Sequence, residues 1–157
     1  MTLDNRRQDL LAPLFAVLPL DVALSALLPS VPARREAVDA VHLLAGSAEL
    51  RGNRHAQAAL WLYVDALDES HTISQSLHDT TGSFLHGIMH RREGDFSNSH
   101  YWMRRAGQHP VWREIAGYDP DAFIDAVAAA RGESPPELVA IQRAEWLAVM
   151  RHCLNGA

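Results

Sequence analysis

The sequence predicts an all-α fold: a single-domain irregular or orthogonal bundle of about seven helices, with helix hairpins. Two observations carry that expectation. Sustained period-two alternation is missing, and no Asn-Gly or Asp-Gly pair separates two apolar runs, so strands and tight β-hairpins have no signal. Apolar residues instead recur at three- and four-residue spacing between capping residues and glycine or proline stops. The 157 residues, 48% of them hydrophobic, suit one domain (1–157) around one core.

Residues 4–18 place Leu3, Leu10, Leu14 and Val17 on one face, with Arg6, Arg7 and Gln8 outside. Asp21 is expected to cap a short helix ending before Pro29. After the Pro29–Pro32 turn, residues 33–50 carry Val38, Val41, Leu44 and Leu50 in one stripe. Asn53 caps a helix through Leu60, Trp61, Val64 and Leu67, which continues or restarts at Ser70 and ends near His78. The polar run Asp79-Thr80-Thr81-Gly82-Ser83 reads as a turn. A helix over 84–93 stops at Gly94, and Asp95 or Ser97 caps the next, which ends at Gly107 before Pro110. Asp119-Pro120 is a cap with proline at the first helical position, and Arg131-Gly132 closes that helix. Ser134-Pro135-Pro136-Glu137 opens the last helix, with Leu138, Ile141, Trp146 and Val149 inward. Trp61, Trp112 and Trp146 sit among apolar neighbours as core residues.

Charge and cysteine usage exclude several classes. Fourteen basic residues against 19 acidic give a net charge of -5, which argues against a nucleic-acid-binding surface. The basic residues are all arginine. Arg91-Arg92 and Arg104-Arg105 have the planar fork that grips a small anion, although solvated helix-surface charges are the plainer reading. A single cysteine, Cys153, excludes an internal disulfide and a cysteine-type zinc site, and fits a cytoplasmic location. Arg6 and Arg7 before the apolar run Leu10–Leu20 trace the outline of a signal peptide. Asp9, Asp21 and the missing small-x-small site favour a packed helical segment instead. The run is also too short to span a membrane, so no membrane partner is expected.

Histidine is the outlier. Seven of the nine fall between His55 and His109. On one predicted helix His71, Gln75 and His78 stand at i, i+4 and i+7, and on the next His86, His90 and Glu93 do the same. At helical periodicity each triplet spans roughly 60° of arc, so each is one stripe. An antiparallel hairpin about the Asp79–Ser83 turn sets His78 near His86, Gln75 near His90 and His71 near Glu93.

Two chemistries suit such a seam. His86 and His90 have the spacing at which successive turns of a helix ligate one divalent ion, such as Zn, Fe, Ni or Mn, with a third ligand from His71, His78 or elsewhere. Gly87 stands where the zinc-protease motif needs glutamate, so that signature fails. A metal-dependent hydrolase using His86 and His90 stands as an alternative reading. The second chemistry is a metal-free pocket for a polar small molecule, the leading reading of the residues. In it His90 and Glu93 form the catalytic proton-transfer pair. His71, Gln75 and His86 bind the ligand, Arg91 or Arg92 supplies a cation, and Asn98, Tyr101 and Trp102 add an amide, a phenol and a stacking surface. Against both stands a self-satisfied network of buried hydrogen bonds that fixes helix register. No Walker loop, G-x-G-x-x-G fingerprint or G-x-S-x-G elbow occurs.

Gly52-Asn53 and Gly94-Asp95 each open a helix with an aromatic pair downstream (Trp61/Tyr63 and Tyr101/Trp102), a faint repeat. Gly94-Asp95-Phe96, Ser99, Ala106 and Pro110 resemble the second helix of a tetratricopeptide repeat, which makes an interaction module a further alternative. The string from His86 to Arg105 has the form H-x-x-M-H-R-R-E-x-D-x-x-N-x-x-Y-W-x-R-R, with His109-Pro110 after it and Asp68-Glu69-Ser70-His71 upstream. It resembles a family of bacterial proteins of unknown function. The resemblance implies an all-helical domain with its signature in this segment, and Ser99 stands where a small alanine-like residue is expected.

Overall fold

The computed structural model describes residues 3–155, and every regular element among them is a helix. In order they are α1 (Asn5–Val17), α2 (Arg35–Ala45), α3 (Arg54–Tyr63), α4 (Leu67–Ser74), α5 (Thr80–Glu93), α6 (Phe96–Ala106), a 3-10 turn (Pro110–Glu114), α7 (Pro120–Ala129) and α8 (Pro136–Leu154). The described residues thus form eight α-helices against the seven or so expected. Their starts are set locally. Asn53, Asp79, Asp95 and Asp119 each accept the backbone N–H three residues on, from Ala56, Gly82, Asn98 and Ala122. Pro120 and Pro136 occupy first-turn positions where no N–H is needed.

The core sits around α5. Every residue from Thr81 to Arg92 is buried, although only Phe84, Leu85, Ile88 and Met89 among them are large and apolar. Helix α5 packs against α6, α4 and α3, and α8 lies behind α3. Trp146 of α8 donates from Nε1 to the Ala59 carbonyl at 2.7 Å, and Tyr63 donates to the Leu18 carbonyl at 2.7 Å. Trp61 and Trp146 are core residues as expected, whereas Trp112 is half-buried.

Helices α3–α4 and α5–α6 form two hairpins built on the same device. Ser70 donates to the Ala58 carbonyl at 3.0 Å, and Ser99 donates to the Gly87 carbonyl at 2.7 Å, each twelve residues back. A small residue on each side lets the two backbones approach. The repeat is therefore hairpin upon hairpin, not α3 upon α6 as the Gly-Asn and Gly-Asp spacing suggested. Ser99 here is more than a small residue, because its hydroxyl fastens the hairpin.

Two expected elements differ. The helix from Asp21 to Pro29 is not formed. Its carbonyls are taken by side chains instead: Arg143 donates to Asp21 and Ala23, Gln142 to Leu24 and Ala26, and Arg92 to Ala26. Leu24 has φ 58°, outside the helical region. The expected turn at Asp79–Ser83 is in fact the first turn of α5, and the chain reverses over residues 75–79 instead. Gly82 makes that possible, because a Cβ there would lie 2.3 Å from the Leu77 Cβ and 2.6 Å from the Leu77 carbonyl oxygen. Asp95, not Ser97, caps α6.

Candidate metal centre

Moving the reversal back by about four residues changes what faces what. His71 no longer stands opposite Glu93 but opposite His86, and the three rings of His71, His86 and His90 come together. Ring centroids are 4.9 Å apart for His71–His86, 5.3 Å for His71–His90 and 4.7 Å for His86–His90. One nitrogen from each lies within 4.8 Å of the others. His86 and His90 share a face because they are one helical turn apart on α5. Gln75 and His78 fall outside the cluster, since α4 ends at Ser74 and both side chains are exposed in or beside the reversal.

His90 is held by a carboxylate. Its Nδ1–H donates to Glu93 Oε1 at 2.6 Å, and Asp95 Oδ2 lies 4.0 Å from the same nitrogen. A carboxylate only accepts, so Nδ1 carries the proton, and the tautomer this selects has its lone pair on Nε2. This is the arrangement in which an outer carboxylate orients a ligating imidazole and raises its basicity. Asp95 joins His90 and Glu93 in a second close group, a member that sequence reading took only as a helix cap.

Among the described residues Arg91 Nε, Arg92 Nε, Trp112 Nε1 and Gln142 Oε1 are buried without a hydrogen-bond partner, and at His86 both ring nitrogens are. His86 is 4% exposed. Burial, with smaller contributions from His90 and His71, pushes its pKa down to about 4, so the ring is neutral and carries one free lone pair. Trp102 stacks on it at 4.0 Å with 22° between the planes. A self-satisfied structural network would pair these nitrogens. Within the cluster His90 is paired with Glu93, His71 is half-buried, and His86 is both buried and unpaired.

The remaining predicted site residues divide. Trp102 joins the cluster through that stack. Tyr101 is 45% exposed and stands edge-on to Trp102 at 5.3 Å. Asn98 donates to Asp95 Oδ2 at 2.7 Å, supporting the cap of α6. Arg91 and Arg92 are not free cations. Arg91 is fully buried in a two-pronged pair with Glu145 at 2.6 and 2.7 Å, which also receives the Tyr118 hydroxyl, and it lies 4.3 Å above the Phe123 ring. Arg92 is equally buried, donating to the Leu62 carbonyl and to Asp65 at 2.5 Å. Asp65 adopts φ 64°, a conformation that aspartate tolerates better than most residues. Arg91 is held charged by Glu145 despite its burial. Sequence reading missed Glu145, Tyr118 and Asp65, for which no local signal exists.

At the other end of α5 lies a second polar knot. Val111 N–H donates to His109 Nδ1 at 3.3 Å, so the proton of the neutral ring is on Nε2, 3.1 Å from Thr81 Oγ1. Thr81 lies 3.4 Å from His152 Nε2. Burial pushes the His109 pKa down to about 4. Every nitrogen of His109 is therefore used, in contrast to His86. No helix among the described residues is long and apolar enough to cross a membrane. No protein-family profile, curated protein or solved structure matches the chain.

Proposed function

We propose that this protein binds a divalent first-row metal ion at His71, His86 and His90, and that the centre serves a metal-dependent reaction of water, either hydrolysis or hydration. The observation that carries this reading is His86, a buried imidazole with two unpaired nitrogens, one of them a lone pair facing two other histidines. Leaving a buried acceptor unpaired costs about 1–3 kcal/mol, and a metal bond removes that cost. Three neutral nitrogen donors suit zinc, iron or nickel better than magnesium or calcium. Three protein ligands leave a position for water, whose pKa such an ion lowers toward neutrality.

This chain's own residues supply the rest. Glu93 accepts the His90 Nδ1–H and so fixes the tautomer that keeps the Nε2 lone pair for an ion. Trp102 covers one face of His86 and keeps bulk water from it. His71 is half-buried and lies on the solvent side of the cluster.

The test is a zinc titration of tag-free, chelator-stripped protein followed by calorimetry. One site per chain is expected in the wild type, lost in His86→Ala and weakened in His71→Ala, with helix content unchanged. Wild-type protein without such a site would leave the second reading, a metal-free acid–base pair, which the 2.6 Å His90–Glu93 contact favours.

A further inference from the structure

Resting on that centre, the geometry points to a substrate with an anionic group, carboxylate or phosphate, gripped by Arg105 while its reacting end meets the metal. Helix α6 places Tyr101, Trp102 and Arg105 on one face, because three- and four-residue spacing aligns them. The Arg105 guanidinium lies 5.6 Å from the centroid of Trp102 and 5.9 Å from that of Tyr101. Trp102 is the ring stacked on His86. Trp102 therefore adjoins both the Arg105 guanidinium and His86.

Arg105, like its neighbour Arg104, is exposed and outside any ion pair among the described residues, whereas four other arginines are committed. Arg91 and Arg92 are buried and paired, and Arg151 pairs with Glu114. Arg143 spends its donors on the Asp21 and Ala23 carbonyls. Arg105 is exposed and has no carboxylate partner among the described residues, so its fork of donors is free. The indole and phenol rings hold the guanidinium in place without using its in-plane donors.

The opposite flank has the opposite sign. Glu93 and Asp95 border His90, with side chains 36% and 41% exposed. A ligand crossing the centre thus meets a cation at Trp102 and carboxylates at His90. An anionic end is drawn to Arg105 and repelled from Glu93, which fixes one orientation. A planar carboxylate or a phosphate accepts two parallel N–H bonds from such a fork.

The test uses the full chain loaded with Co2+, whose visible spectrum reports ligand exchange. Three probes are titrated: acetohydroxamate, succinic acid monohydroxamate and a hydroxamate with a phosphonate at the same distance. The acidic probes are expected to bind about tenfold more tightly than acetohydroxamate, the equivalent of one charge-assisted contact. Arg105→Met should abolish that preference and leave acetohydroxamate binding unchanged. Arg104→Met removes the same charge from the neighbouring residue, which makes no ring contact, and should keep the preference. The two acidic probes tell carboxylate from phosphate recognition. Equal binding of all three probes by the wild type, or a preference that survives Arg105→Met, overturns the inference while the metal centre stands. A wild type that gives no Co2+ spectrum overturns both.

Discussion

Replacing His86 by leucine should make the metal-free protein more stable. A neutral imidazole at this site buries one N–H and one lone pair with no partner, and each such group costs about 1–3 kcal/mol. Leucine removes both. It also removes the ring stacked 4.0 Å from Trp102 and 4.7 Å from His90, a loss of about 0.5–1.5 kcal/mol for each of the two contacts. Taken at their midpoints, these figures favour leucine by about 2 kcal/mol. For a chain of this size each kcal/mol moves the melting midpoint by about 2–4 °C. Thermal unfolding in excess chelator should therefore show His86→Leu melting about 4–8 °C above wild type. Zinc should then reverse the order, because a ligand at 100 times its dissociation constant stabilises only the protein that binds it, by about 2.7 kcal/mol. A variant that melts below wild type in chelator would place His86 among the structural residues and remove the physical basis of the site.

Three other perturbations probe the framework. Gly82→Ala forces a Cβ against the Leu77 backbone, so the 75–79 reversal must shift. The expected cost is about 1–3 kcal/mol together with weakened metal binding, and undiminished zinc affinity would show that this reversal does not set the position of His71. Glu145→Gln leaves the Arg91 charge buried without its counter-ion and should cost about 3–5 kcal/mol in urea denaturation; a loss under about 1 kcal/mol would contradict the pairing. His109 is neutral in the fold with its pKa depressed to about 4, below the unfolded 6.5, by burial and His152 against the opposing pull of Asp79 and Glu114. Unfolded chains then bind the proton first, so its contribution is complete above pH 6.5 and fades as pH falls through 4. In chelator, wild type should lose about 2 kcal/mol more than His109→Gln between pH 7.5 and 5, and parallel pH curves for the two proteins would refute it.

Much of the fold is written in local signals. Asn53, Asp79, Asp95 and Asp119 mark helix starts because capping needs only the next three residues. Asp79 nonetheless reads as the opening of a turn, since Thr-Thr-Gly-Ser after it carries turn composition and the close packing of Gly82 against Leu77 is invisible in the sequence. That single boundary decided the site. The stripe His86–His90–Glu93 was legible from spacing, and so was His71 as a facing residue, but its true neighbour was not. Arg91 and Arg92 show the same limit, because the partners Glu145 and Asp65 lie 54 and 27 residues away. A helix as polar as α5 has no apolar stripe to declare its burial. Arg91 and Arg92 in it find distant partners, and the two ring nitrogens of His86 find none.

The most direct measurement is elemental analysis of the protein purified without a histidine tag or chelator, beside its His86→Ala/His90→Ala variant. The account predicts close to one first-row metal ion per chain in the wild type and none in the variant, both folding to the same helix content. Equal metal in the two proteins, or a wild type that takes up none even when zinc is supplied, would contradict a centre built on His71, His86 and His90.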